Sequence, residues 1–183
     1  TSTQPGTPGT TGASEEYNGT SWTNSNSMNT ARRNVYGSGT QTASITAAGL
    51  TNPAADSNNS EEYDGTSWTA GNTLNTARRG AALCGTQTAN LIQGGGNPVA
   101  SKTTAEEYDG TNWSNAGVRI TGARDPSAFG TQTAALGCGG YSAPTAIITT
   151  TEGYDGTSFS TRPSLAQARQ TAAGSGTSQL GLL

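Results

Sequence analysis

The chain has 183 residues, a net charge of −3 and an apolar fraction of 31%, with Lys102 its only lysine. That length allows one ordinary core, and a weakly acidic surface without a basic stripe argues against nucleic-acid binding. No apolar run approaches the roughly 18 residues of a membrane span, and the low net charge sets the chain apart from disordered sequences, which are both polar and highly charged.

One motif occurs four times, as EEYNGTSW (15–22), EEYDGTSW (61–68), EEYDGTNW (106–113) and EGYDGTSF (152–159). Tyr17, Tyr63, Tyr108 and Tyr154 stand 46, 45 and 46 residues apart. Gly-Thr pairs at 39–40, 85–86, 130–131 and 176–177 keep step, as do Arg32, Arg78, Arg124 and Arg169. Such self-similarity marks a repeat architecture.

In chain order, residues 12–23 predict two strands around Asn18-Gly19, and 34–70 the first full set of four. The unit 80–116 is the most legible. Residues 80–84 form a short apolar strand, 85–87 a turn and 88–93 a second strand, which the glycines of 94–98 break. Residues 103–108 make a third strand. Asp109-Gly110 is a strong hairpin signal because both residues tolerate positive φ, and 111–114 make the fourth strand. Residues 125–161 repeat this plan, and 170–183 supply two inner strands. No helical period is sustained.

Four short antiparallel strands in each period of about 46 residues predict an all-β protein, a four-bladed β-propeller occupying residues 1–183. Three blades fall at 34–70, 80–116 and 125–161. The fourth combines 170–183 with 1–24, so that N- and C-terminal strands share a blade and close the ring. From Tyr154 through the C-terminus to Tyr17 is again 46 residues, which favours closure. A piece of a larger ring, or an assembly sharing blades between chains, is the alternative.

A strand ending in Gly-Gly (Gly95-Gly96, Gly139-Gly140), then Tyr, then Trp, then Arg before the next strand, resembles the kelch repeat. The resemblance covers nearly the whole chain and implies first strands lining a central channel and fourth strands at the rim. The first copy departs from it with Ala48-Gly49, and no His follows the Arg. The Tyr-Asp-Gly-Thr-Ser-Trp unit is also similar to repeats in structural proteins of bacteriophages, which implies a virion fibre or another external appendage.

The chain contains no histidine. That removes the usual general base, the commonest metal ligand and any Ser-His-Asp arrangement, and with them copper chemistry of the galactose-oxidase kind. No Cys pair has zinc spacing, and no segment matches a phosphate-binding loop. Asp64, Asp109 and Asp155, with Asn18 in the equivalent place, could ring a calcium ion; each as the first residue of a hairpin turn accounts for Asn18 equally well. Glu15, Glu61, Glu106 and Glu152 recur beside Glu16, Glu62 and Glu107, and strand alternation turns one of each pair inward.

Arg32, Arg78, Arg124 and Arg169 precede the inner strands and admit two readings. They form a ring for an anionic or sugar ligand, or each pairs with a recurrent Glu and ties blade to blade. The recurrent Tyr and Trp fill the wedge between blades, so Trp68 and Trp113 are expected to be buried. Cys84 and Cys138 sit at different points of their repeats, as two buried thiols or one disulfide. The sequence predicts no catalytic residue, cofactor or metal. It points to a non-enzymatic structural or adhesive propeller, extracellular or on a virion, whose partners are other structural subunits or itself. The alternative is a carbohydrate-binding module that meets cell-surface glycans through the loops 51–59, 97–103 and 141–145. Neither nucleic acid nor membrane insertion is expected.

Overall fold

Glycine at the Gly-Thr pair lets each inner hairpin turn tightly, because the turn needs a positive φ that glycine alone adopts without strain. The angle is 119° at Gly39, 116° at Gly85 and 106° at Gly130. The computed structural model describes residues 9–97, 99–144 and 146–183; residues 1–8 of the expected terminal blade, and Pro98 and Thr145 of the loops, lie outside them.

All regular structure in the described residues is extended. The first strands are β1 (Ser14–Tyr17), β2 (Trp22–Ser25), β3 (Tyr36–Thr40), β4 (Ala43–Ala47), β5 (Ser60–Tyr63) and β6 (Trp68–Ala70). Then come β7 (Ala81–Gly85), β8 (Asn90–Gly94), β9 (Gly96–Asn97), β10 (Ala100–Ser101), β11 (Ala105–Tyr108) and β12 (Trp113–Asn115). The chain continues with β13 (Ser127–Thr131), β14 (Ala134–Cys138), β15 (Tyr141–Ser142) and β16 (Ala146–Ile147). It ends with β17 (Thr151–Tyr154), β18 (Phe159–Arg162), β19 (Ser175–Gly176) and β20 (Gly181–Leu182).

Three antiparallel four-stranded sheets result, in the orders β3-β4-β5-β6, β7-β8-β11-β12 and β13-β14-β17-β18. They span residues 36–70, 81–115 and 127–162. The small hairpins β9–β10 and β15–β16 interrupt the second and third units after their second strands. The two chain ends differ from expectation, because β1–β2 and β19–β20 are separate two-stranded sheets. No ladder joins 12–23 to 170–183 among the described residues. The reason lies in the C-terminal hairpin: it has two ladder pairs, two of its four strand residues are glycine, and all four are exposed. It offers a third strand little to hold.

The sheets follow one another with inner strands side by side, β3 against β7, β7 against β13, and β13 against β19. Ile45, Leu74, Leu83, Ile92, Tyr108 and Trp113 belong to the core between the first two sheets. Cys84, Leu91, Ala105, Tyr154 and Phe159 belong to the next. The turn glutamines staple sheet to sheet through backbone carbonyls. Gln87 Nε2 donates to Ser44 O (3.2 Å) and Tyr63 O (2.9 Å), and Gln132 Nε2 to Asn90 O (3.0 Å) and Tyr108 O (2.8 Å).

Each Tyr–Trp pair lies directly across its outer hairpin, with ring centroids 5.0 Å apart for Tyr63–Trp68 and 4.9 Å for Tyr108–Trp113. The outer hairpin of the preceding unit covers each pair and satisfies its polar atoms. The hydroxyls of Tyr63, Tyr108 and Tyr154 donate to Glu16, Glu62 and Glu107. Trp68 Nε1 donates to Ser14 Oγ (2.9 Å) and Trp113 Nε1 to Ser60 Oγ (3.3 Å). Where Ala105 replaces that Ser, Phe159 replaces the Trp, so no ring N–H is stranded. Trp113 is buried, as expected, and Trp68 is half-buried. Tyr17 and Trp22, with no sheet ahead of them, are 46% and 66% exposed. Both cysteines are free and buried, and burial pushes the Cys84 thiol up to about 12.

Candidate functional site

The Asp-Gly residues prove to be turn residues. Oδ1 of Asp64, Asp109 and Asp155 accepts backbone N–H groups two and three residues on, and Asn18 does the same through its amide oxygen. These donors hold the three carboxyls below their usual range. Among the described residues no three Cys, Asp or Glu side chains gather as a metal site.

The inward glutamates have a different task. Glu61 accepts the N–H of Asn29 (2.6 Å) and Thr30 (3.2 Å) and the Arg32 guanidinium (2.9 Å). Glu106 repeats this with Asn75 N (2.7 Å), Thr76 N (3.1 Å) and Arg78 Nη2 (2.7 Å). Each carboxylate thereby anchors the connection arriving from the preceding sheet. The arginines also saturate backbone carbonyls: Arg32 Nη1 donates to Ala48 O and Asn59 O, Arg78 Nη1 to Gly94 O and Thr104 O. Burial lowers the proton affinity of both guanidiniums, and the facing glutamates oppose that shift. Arg32 and Arg78 are 1% and 0% exposed. They tie the sheets and are closed to any ligand.

Arg124 does not belong with them. The 45-residue step between Tyr63 and Tyr108 puts Ala123, not Arg124, in the frame of Arg78, and the contacts follow that frame. Glu152 accepts the N–H of Ile120 and Thr121, both at 2.9 Å, and its cation is Arg119, 3.7 Å away. Arg119 stands where Leu74 and Met28 stand in earlier units, and its Nη1 also donates to Gln93 Oε1 (2.6 Å). Gly137 makes the room, since a Cβ there would lie 2.5 Å from Arg119 Nη1 and 2.2 Å from Gln93 Oε1. Arg169 keeps the frame at the C-terminal end, where its Nη1 donates to Leu183 O (3.1 Å). The four arginines therefore do not form one ring.

A second set does converge. Asn34, Gly80, Asp125 and Thr171 occupy equivalent places, with φ of 52°, 58°, 50° and 56°. Gly80 N–H donates to Asn34 O (3.3 Å), Asp125 N–H to Gly80 O (2.6 Å) and Thr171 N–H to Asp125 O (3.0 Å). This run of bonds links equivalent points of successive units. Just before its first three members stand Arg33, Arg79 and Arg124, which with Asn34, Leu50 and Asp125 line much of a cavity of about 250 Å³. Arg79 Nε lies 3.4 Å from Asp56 Oδ1, and the Arg124 guanidinium stacks 4.7 Å from the Tyr141 ring centroid. The Nε of Arg124 is buried without a hydrogen-bond partner. Burial raises the Asp125 carboxyl, while Arg124 and Arg79 oppose that shift.

The loops that differ most among units begin at this cavity. Leu50, leading into 51–59, bridges to Arg33; Gly96, leading into 97–103, donates to Arg79 O; Tyr141, opening 141–145, bridges to Arg124. Sequence reading named Arg124 but missed Arg33 and Arg79 by following the buried Arg of each Arg-Arg pair, although the same period links all three. No protein-family model and no curated protein matches the chain.

Proposed function

We propose that the chain is a kelch-like, non-enzymatic propeller with a structural or adhesive role in a virion fibre or other external appendage, where it packs against other subunits or itself. The observation behind this reading is that the buried polar groups are spent on copying one sheet-to-sheet joint. Glu61, Glu106 and Glu152 each anchor a connection in the same way. Immunogold labelling of the native source with antibody to this chain is expected to decorate particles or appendages. Recovery as a free cytosolic protein with measurable turnover would overturn the reading.

The proposed scaffold is a closed four-bladed ring, in which β19–β20 stands as the inner half and β1–β2 as the outer half of the last blade. Continuing the register of β4 with β5, which pairs Ile45 with Glu62, sets Leu182 opposite Glu16. Two groups support this join. Glu15 is exposed whereas its counterparts Glu61, Glu106 and Glu152 are buried. Thr151 Oγ1, at the place where Ser60 receives Trp113 Nε1, is buried beside the Cys138 thiol and receives no ring N–H among the described residues, and Trp22 is the indole that closure would bring to it. Gly153 replaces the glutamate that would receive the Tyr17 hydroxyl, so this joint lacks one bond of the others. A Glu16→Cys/Leu182→Cys chain is expected to form a disulfide within the monomer under mild oxidation. Dimers linked between chains would show blade exchange instead, and no cross-link would refute closure.

A carbohydrate-binding role through the variable loops is the second reading. It is favoured by the start of those loops at Leu50, Gly96 and Tyr141, which pair with the backbone of Arg33, Arg79 and Arg124.

A further inference from the structure

We infer that Asn18-Gly19 is a self-modifying site, where the Asn18 side chain closes on the Gly19 amide, loses ammonia and is hydrolysed to an aspartate. Asp64, Asp109 and Asp155 already fill the equivalent place in the other units, and Asn18 is its one neutral occupant. Residues 17–22 are all exposed. A Cβ on Gly19 would meet nothing within 4 Å, whereas at Gly65, Gly110 and Gly156 the nearest atoms, of Thr42, Thr88 and Thr133, lie at 3.2, 3.3 and 3.2 Å. With no side chain of its own and open space beside it, Gly19 leaves its nitrogen clear for attack.

The turn presents the groups that the reaction needs. Asn18 Oδ1 accepts the N–H of Thr20 and of Ser21, both at 2.9 Å. Attack of Gly19 N on Asn18 Cγ puts negative charge on that oxygen, and the same two donors then stabilise the tetrahedral state. The Gly19 N–H makes no hydrogen bond among the described residues, and water takes its proton as the N–Cγ bond forms. Asn18 Nδ2 lies 3.3 Å from Ser21 Oγ. This hydroxyl turns its proton to the nitrogen as the Cγ–Nδ2 bond breaks and ammonia leaves, and it recovers a proton from water. Water then opens the cyclic imide. Addition at Cγ breaks the N–Cγ bond and gives aspartate. Addition at the main-chain carbonyl carbon of residue 18 breaks its bond to Gly19 N and gives the isoaspartyl chain. The aspartate fits the turn: Oδ1 of Asp64 and Asp155 accepts the same two N–H groups, and Oδ2 gains the Ser67 or Ser158 hydroxyl at 3.3 Å. Ser21 stands in that place beside residue 18. Conversion therefore completes the repeat and adds one negative charge to the net −3. The isoaspartyl product instead lengthens the turn between Tyr17 and Trp22, which pair across it, and so loosens β1–β2.

Incubation of the folded chain in mildly alkaline buffer, with tandem mass spectrometry of its peptides over time, tests the inference. Asn18 is expected to convert at least about tenfold faster than Asn24, Asn26 or Asn59, each of which precedes a serine. The Ser21→Ala chain should convert about fivefold more slowly, the worth of one hydrogen bond in the transition state. The chain unfolded in urea should convert no faster than the folded one. No conversion at Asn18, conversion there no faster than at the three Asn-Ser sites, or an unchanged rate in the Ser21→Ala chain would each overturn the inference. Faster conversion in urea would also overturn it, by showing that the turn protects the amide.

Discussion

Arg119→Leu is expected to lower unfolding free energy by about 3–5 kcal/mol, the cost of leaving one member of a buried ion pair without its partner. Adding Ala123→Arg to the same chain is expected to return most of it. In the third unit Glu152 is fully buried, and among the described residues Arg119 is its only guanidinium partner. Leu at 119 restores the residue found at Leu74 but strands that carboxylate. Arg at 123 recreates the place of Arg78, whose acceptors are Gly94 O, Thr104 O and Glu106. Their counterparts Gly139, Thr150 and Glu152 are already in place, with Gly139 N–H bonded to Thr150 O as Gly94 N–H is to Thr104 O. Urea melts of both variants measure the outcome. A double variant no more stable than Arg119→Leu would mean that the third joint is not the same joint with its arginine moved.

That relocation also shows where sequence reading stops. Strand pairs, hairpin turns and the inward turn of one member of each Glu-Glu couple were legible because alternation and turn chemistry are local. Pairing of Arg32 and Arg78 with a recurrent Glu was one of two readings the sequence left open, and the structure supplies Glu61 and Glu106 as the partners. The frame of the third unit was misread because Arg124 is an arginine near the expected place. Counting from the tyrosines leads to Ala123, and the charge has moved four residues back to Arg119. A guanidinium on a long stem can reach one carboxylate from two backbone positions, so residue type recurs less faithfully than chemistry. Arg33 and Arg79 were hidden for a related reason. Arg32-Arg33 and Arg78-Arg79 put a structural cation and a cavity cation side by side, and only packing tells them apart. The chain ends were the least legible part, because β19–β20 has only two ladder pairs and no strand-length apolar pattern to mark its partner.

Trp113→Ala should lower stability by about 3–5 kcal/mol, as for other large aromatic truncations in a core. The indole is 6% exposed, lies 4.9 Å from the Tyr108 ring and donates to Ser60 Oγ. Its removal empties the wedge between the first two sheets and leaves that hydroxyl short of a donor. The same substitution at Trp22 probes closure of the ring. With the terminal hairpins apart, Trp22 is 66% exposed, and its truncation should then change stability by no more than about 0.5 kcal/mol, the usual range for surface sites. In the closed ring proposed here Trp22 covers the third outer hairpin and donates to Thr151 Oγ1, so Trp22→Ala should cost about 2 kcal/mol or more. Thermal melts of the two variants in parallel separate these cases, because Trp113 calibrates what burial of this side chain is worth in this fold. A Trp22 variant as stable as the unaltered chain, beside a weakened Trp113 variant, would mean that the ring stands open in solution.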